Sequence, residues 1–174
     1  MSKHNFGDYL LANGEEDSPA VLEARRDFSF ADLRRATDII ARVLRDTDLG
    51  KGERVAIAGP NSLFWIASYI AIMRSGLVAV PLATNLTETE LTRNLDWVGC
   101  GTVLIDRRQR RRWAAPLSGM LLLDDSLLAQ TDDPGASTIE SVSVSPDDDA
   151  ALMFTSGSTA MPKAVRVSHA NLRA

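Results

Sequence analysis

The chain has 174 residues, of which 45% are hydrophobic, so it has the size of one domain with a proper core and is not disordered throughout. Its formal net charge of −4 gives no general attraction to nucleic acid or to an anionic membrane surface. The single cysteine, Cys100, excludes an internal disulfide and fits a reducing compartment. No run approaches the ~18 apolar residues of a membrane helix, and the start, Met1 to Leu11, lacks the apolar centre of a signal peptide, so the cytoplasm is the expected location.

In chain order, Ser29 with Asp32 forms a capping box. Phe30, Leu33, Ala36, Ile40 and Val43 then recur at helical spacing towards a stop near Leu49-Gly50. Arg54 to Ala58 reads as a short buried strand ended by Gly59-Pro60. Ser62 to Ser75 is apolar nearly all round, which predicts a buried helix closed by Gly76. Val78 to Leu82 is the next strand, Thr87 with Glu90 caps a helix running to about Trp97, and Thr102 to Ile105 is a third strand. A basic helix over Arg107 to Ala115 and a strand over Met120 to Leu123 follow. Residues 124–149 lose periodicity and read mostly as an exposed connection, and Ala150 to Phe154 is a final strand. Helices alternating with strands through short links predict an α/β fold, a mainly parallel sheet flanked by helices with right-handed crossovers, whose ligands bind beyond the carboxyl ends of the strands.

That final strand leads into the most informative segment, Phe154-Thr155-Ser156-Gly157-Ser158-Thr159-Ala160-Met161-Pro162-Lys163-Ala164-Val165. Gly157 gives the backbone freedom to turn amide N–H groups towards an anion, Thr155, Ser156, Ser158 and Thr159 add hydroxyl donors, and Lys163 adds a compact positive charge. The mixture suits a phosphate group. It is not a Walker A loop, because Pro162 and Ala164 stand where that loop needs a glycine and a magnesium-binding hydroxyl. Nor is it the Gly-x-Ser-x-Gly elbow of serine hydrolases, since Gly157 is followed directly by Ser158 and Ala160 stands downstream.

The segment resembles the signature of the adenylate-forming superfamily, which includes acyl-CoA synthetases, aryl-acid ligases, luciferases and peptide-synthetase adenylation domains. That pattern reads roughly Thr-Ser-Gly-Ser/Thr-Thr-Gly-x-Pro-Lys-Gly-Val and is matched at Thr155, Ser156, Gly157, Ser158, Thr159, Pro162, Lys163 and Val165. Ser168-His169-Ala170-Asn171-Leu172 is similar to the family's Ser/Thr-His-x-Asn-Leu helix start. Arg74-Ser75-Gly76-Leu77-Val78-Ala79-Val80-Pro81-Leu82 is similar to an upstream Lys-x-Gly-x-x-Val-Pro-Leu block, with Arg74 in place of the usual lysine. The likeness runs from about Phe28 onward.

The resemblance implies that residues 1–174 form an incomplete N-terminal subdomain of the large domain of an AMP-binding ligase, with residues 154–165 as its phosphate loop. The acyl pocket, the metal-binding acid and the C-terminal catalytic domain of the family lie further along than residue 174. It also implies a reaction: a carboxylic acid attacks the α-phosphorus of ATP to give acyl-AMP and pyrophosphate, and a thiol or an amine then displaces AMP. Thr155, Ser156, Gly157, Ser158, Thr159 and Lys163 would bind ATP, with Lys163 as the phosphate clamp and Mg2+ accompanying the nucleotide. Coenzyme A, or the phosphopantetheine of a carrier protein, would be the accepting thiol, and a complementing downstream polypeptide would be a further partner. No metal ligand is assigned within the chain. His169 stands either as a gate over the acyl site or as a helix-end histidine with structural hydrogen bonds. Ala160 and Ala164 replace family glycines. At positive φ each would strain the loop by about 1 kcal/mol, whereas at negative φ alanine would stiffen it harmlessly.

Blander readings are preferred elsewhere. His4 is incidental, the arginine-rich run Asp106 to Trp113 is a solvated helix face and not an RNA-binding stripe, Phe64, Trp65 and Tyr69 belong to the core, and Asp147-Asp148-Asp149 repel one another into solvent. The chain is therefore expected to encode part of an ATP-dependent acid ligase and to be inactive by itself. The alternatives are half of a split enzyme, a non-catalytic nucleotide or phosphate-binding module, and a structural fragment with an open sheet edge.

Overall fold

The computed structural model describes residues 4–129, 139–155 and 163–174. Its centre is a six-stranded sheet of β3 (Arg54–Ala58), β4 (Val78–Leu82), β5 (Thr102–Ile105), β6 (Leu121–Asp124), β7 (Asp149–Thr155) and β8 (Lys163–Ser168), in the order β6-β5-β3-β4-β7-β8. The first five of these strands in chain order run parallel, as the alternation of helix and strand predicts, and β8 returns antiparallel to β7. A separate two-stranded antiparallel ribbon joins β1 (Pro19–Leu22) to β2 (Asp27–Ser29).

Side chains that alternate along each strand sort into two cores, as a sheet covered on both faces requires. Val55, Ile57, Ala79, Leu104 and Ala151 face a core shared with α1 (Phe6–Ala12), α2 (Phe30–Arg45) and α3 (Leu63–Arg74). Ala56, Ala58, Val80, Val103, Ile105 and Leu152 face the other core, with α4 (Glu88–Val98) and with Trp113 and Leu117 beyond the short α5 (Arg107–Arg112). Phe64 is buried, and Trp65 and Tyr69 stack on one another at 5.6 Å against the first core, as their spacing predicts. The two predicted capping boxes are formed: Ser29 Oγ accepts from Asp32 N–H at 3.2 Å and Thr87 Oγ1 from Glu90 N–H at 3.3 Å. Each such cap is worth about 1 kcal/mol.

Several boundaries differ from the sequence reading. Helix α2 stops at Arg45, before Leu49, because Asp46, Thr47 and Asp48 favour side-chain bonds to nearby backbone, and Thr47 Oγ1 donates to the Leu44 carbonyl. Helix α3 ends at Arg74, and Gly76 follows at φ 70° in a Schellman turn, with Leu77 N–H on the Ile72 carbonyl and Gly76 N–H on the Met73 carbonyl, both at 3.0 Å. Strand β8, helix α1 and the β1–β2 ribbon were not anticipated. The connection 124–149 is not wholly exposed: Asp125–Ala129 forms a 3-10 turn, and Ile139 and Val144 are buried. There Val142 N–H donates to the Arg74 carbonyl at 2.7 Å.

Three arginines of the basic run make contacts within the domain. Asp106 caps α5, Arg107 pairs with Asp125, Arg110 pairs with Asp124, and Arg112 donates to the carbonyls of Thr84 and Leu86. Asp148 and Asp149 are likewise each matched by a cation, Lys51 at 2.8 Å and Arg166 at 2.9 Å. No helix among the described residues is long and apolar enough to cross a membrane.

Candidate functional site

The β7–β8 hairpin carries the hydroxyl-rich segment that holds Gly157. Strand β7 lies parallel to β4, with Ala151 opposite Ala79, so its last residues emerge at the carboxyl end of the parallel strands, where ligands of such sheets bind. From there β8 returns antiparallel, and the register sets Phe154 opposite Ala164 and Thr155 opposite Lys163. Phe154 and Ala164 are half-buried against the second core and anchor the hairpin. Thr155 and Lys163 are both exposed and close the described part of it. The chain thus delivers a hydroxyl and an ammonium side by side to solvent at the carboxyl edge.

Ser156, Gly157, Ser158 and Thr159, with Ala160, Met161 and Pro162, lie outside the described residues. The sequence reading placed Lys163, Ala164 and Val165 in the loop, whereas they begin strand β8. This decides the question at Ala164: among the described residues no non-glycine has positive φ, so alanine is unstrained there, and Ala160 lies outside the described residues.

His169 is the first residue of α6 (His169–Arg173), which Ser168 caps directly after β8. Its side chain is 1% exposed, and its Nδ1 accepts a hydrogen bond from Phe6 N–H at 3.1 Å. Its ring thus makes a structural hydrogen bond to the start of α1. Burial holds the His169 imidazole below the usual histidine range, with the Asp148 carboxylate opposing and Lys51 reinforcing that shift. A salt link to Lys51 and the Ser145 N–H hold Asp148 itself below the usual carboxylate range.

The N-terminal segment was missed as part of this architecture. Asn5, 1% exposed, caps α1 through Oδ1 on Gly7 N–H and donates from Nδ2 to the Met73 carbonyl at 2.7 Å. Asp8 and Arg74 form a buried pair beside it. The signal in the sequence was an asparagine placed just before Phe6, a helix-start residue that a seven-residue helix makes easy to overlook.

A cavity of about 710 Å3 opens at the same end of the sheet over β3, β5 and β6, with Arg26, Arg35, Asn61, Asp106 and Arg108 in its walls. In the strand order β4 separates it from β7, so it and the hairpin are different places.

A family model described as AMP-binding enzyme matches residues 11–174. The chain belongs to that family. Among relatives of the AMP-binding enzyme family, it is 30% identical over 173 aligned positions to the 3-hydroxybenzoate–CoA/4-hydroxybenzoate–CoA ligase of Thauera aromatica, covering 91% of this chain and 33% of the relative. It is 29% identical over 162 positions to the fatty acid–[acyl-carrier-protein] ligase ScoC of Streptomyces coeruleorubidus, covering 91% and 31%. Apo MatB of Rhodopseudomonas palustris has the same fold, with a TM-score of 0.83 at 27% identity over 99% of this chain and 36% of that one. The ATP-bound MatB structure gives a TM-score of 0.80 at 28% identity, with the same coverage. The chain spans about a third of the length of these AMP-binding relatives.

Proposed function

We propose that this chain is the N-terminal portion of an ATP-dependent carboxylic acid ligase that activates its substrate as acyl-AMP. The observation that carries the reading is the pairing of Thr155 with Lys163 across a hairpin that opens at the carboxyl edge of a parallel sheet, with the signature hydroxyls between them. The donor set suits the β- and γ-phosphates of ATP: hydroxyls of Thr155, Ser156, Ser158 and Thr159, the backbone at Gly157, and the Lys163 ammonium as clamp. As the acid attacks the α-phosphorus and pyrophosphate leaves, negative charge spreads over the departing oxygens, and preorganised donors meet that demand without a protein nucleophile. The accepting group is coenzyme A, a carrier-bound phosphopantetheine or an amine; relatives named as coenzyme A ligases and as an acyl-carrier-protein ligase support the first two. Residues 154–165 contain no carboxylate, so the acidic ligand of the accompanying Mg2+ would come from elsewhere in the ligase.

The chain by itself is proposed to be inactive. Met153 and Val165 lie opposite one another across β7 and β8 with 39% and 50% of their surface exposed, and among the described residues β8 has no neighbour on its outer side. An apolar pair beside an open strand edge suits a sheet that continues into further polypeptide, and that supports the reading of part of a ligase. Acid-dependent exchange of pyrophosphate into ATP tests this. The chain alone is expected to give none, and a complementing polypeptide with the remaining ligase segments is expected to restore exchange that Lys163→Ala lowers by at least roughly a hundredfold. Exchange well above a blank by the chain alone would overturn the claim of inactivity. Restored exchange indifferent to Lys163→Ala would remove the clamp from the mechanism.

A further inference from the structure

Asn5, Asp8, Arg74 and His169 are buried polar side chains at which the N-terminal segment meets the rest of the chain, and the histidine adjoins the phosphate hairpin. We propose that His169 is a positioning residue: while its imidazole is neutral it fastens the N-terminal segment to the base of that hairpin, and its protonation undoes the fastening. The proposal goes beyond the ligase reading and does not depend on it.

The geometry allows one protonation state. Phe6 is the first residue of α1, so its N–H has no partner within the helix, and it donates to Nδ1 of His169 at 3.1 Å. An imidazole nitrogen that accepts carries no proton, so the ring is the neutral tautomer with hydrogen on Nε2, and an imidazolium has no acceptor to offer. The backbone around His169 is fixed independently, by His169 N–H on the Asp148 carbonyl at 3.1 Å and Ala170 N–H on the Pro146 carbonyl at 2.9 Å. Protonation therefore sets a new N–H against the N–H of Phe6 at a ring that has little room to turn, since it is 1% exposed.

The charged groups around the ring are spoken for. From the connection comes Asp148, whose Oδ2 is held by Lys51 Nζ at 2.8 Å and by Ser145 N–H at 2.9 Å. The carboxylate of α1, Asp8, is turned to Arg74 and Ser141 and does not act on the ring. On its own helix Arg173 lies 4.9 Å from the Tyr9 ring centroid, a second link between α6 and α1. Lys51 opposes a positive ring and Asp148 favours one, while burial weighs most and keeps the ring neutral near pH 7. The segment is also tied to the end of α3 through Asn5 and Asp8, so losing the His169 bond frees its contact with the hairpin base and leaves the other end attached.

Nuclear magnetic resonance on the 174-residue chain tests this, because His4 and His169 are its two histidines and the signal lost in His169→Asn assigns them. The His169 imidazole is expected to titrate below the ordinary histidine value of about 6.5. Amide exchange at Phe6, corrected for intrinsic rates, is expected to lose roughly tenfold or more in protection between about pH 7.5 and about pH 5, with a smaller change at Val167 of β8. In His169→Asn, whose Oδ1 can accept in place of Nδ1, Phe6 protection should stay within about threefold of the parent at the higher pH and lose its pH dependence. A merely structural histidine would predict no such rescue. Flat Phe6 protection across the range, an equal fall in His169→Asn, or a His169 midpoint at or above about 6.5 would each overturn the proposal. The first of these needs no variant to fold.

Discussion

Arg74 Nε donates to Asp8 Oδ1 at 3.0 Å, and the two side chains are 6% and 4% exposed, so an ion pair at the end of α3 is sealed inside the molecule by the N-terminal helix. The same guanidinium reaches Asp38 Oδ1 and the Ile139 carbonyl, each at 2.6 Å, joining α1, α2, α3 and the connection to β7. Removing one partner of such a group leaves a buried charge short of compensation. Because Arg74 keeps Asp38, Asp8→Ala is expected to cost about 3 kcal/mol, at the lower end for a broken buried pair, measured as the shift in urea unfolding.

Arg74 stands where the resembling sequences usually have lysine, and the geometry gives the difference a physical meaning. Three nitrogens of one planar fork address three partners from separate elements, and a single ammonium cannot reproduce that spread. Arg74→Lys is expected to destabilise by about 2 kcal/mol in the same urea measurement, and an unchanged midpoint would show that the fork is dispensable.

Gly76 combines a φ of 70° with a crowded Cβ direction, where an added methyl would lie 2.8 Å from Val142 Cγ1. Left-handed backbone costs an alanine about 1 kcal/mol, and displacing Val142 adds to it. Thermal unfolding of Gly76→Ala should show a loss of about 2 kcal/mol. Gly52→Ala has the strain at φ 83° without the contact and should lose about 1 kcal/mol.

Cys100 is buried, and its sulfur faces the carbonyls of Arg54 and Thr102 at 3.2 and 3.3 Å. Burial pushes the thiol up to about 11, against the weaker opposing pull of nearby backbone hydrogen bonds. At pH 8 roughly one molecule in a thousand would carry the reactive thiolate. An aromatic disulfide reagent is expected to label the folded chain negligibly within minutes and stoichiometrically in urea. Rapid labelling of the folded chain would contradict the burial.

The lowered pKa of His169 also sets the sign of an effect on stability. The unfolded chain takes up a proton near pH 6.5 and the folded chain only at lower pH, so the contribution is fully present above about pH 6.5 and is lost as pH falls through the folded value. The thermal midpoint of the parent should therefore drop more steeply below that pH than the midpoint of His169→Asn. Parallel curves would show that another group governs the acid limb.

Much of the fold was legible because its signals are local. Strands Arg54–Ala58, Val78–Leu82 and Thr102–Ile105 have the predicted bounds, and the capping pairs Ser29/Asp32 and Thr87/Glu90 mark true helix starts. What escaped is held by distant partners. Helix α1 is seven residues long, too short to stand alone, and rests on Met73, Arg74 and His169. Lys163, Ala164 and Val165 read as the end of a phosphate loop, and only pairing with β7 shows that Lys163 opens a strand. His169 was noticed for its chemistry, but its bond to Phe6 spans 163 residues and no local pattern announces it.

The most direct measurement is calorimetric titration of the purified chain with Mg-ATP, beside the Lys163→Ala variant, with circular dichroism to show that both are folded. Saturable binding by the parent, at least roughly tenfold weaker in the variant, is expected, with superimposable spectra. Equal affinity in both folded proteins would contradict the assignment of the Thr155–Lys163 hairpin as the phosphate-binding element.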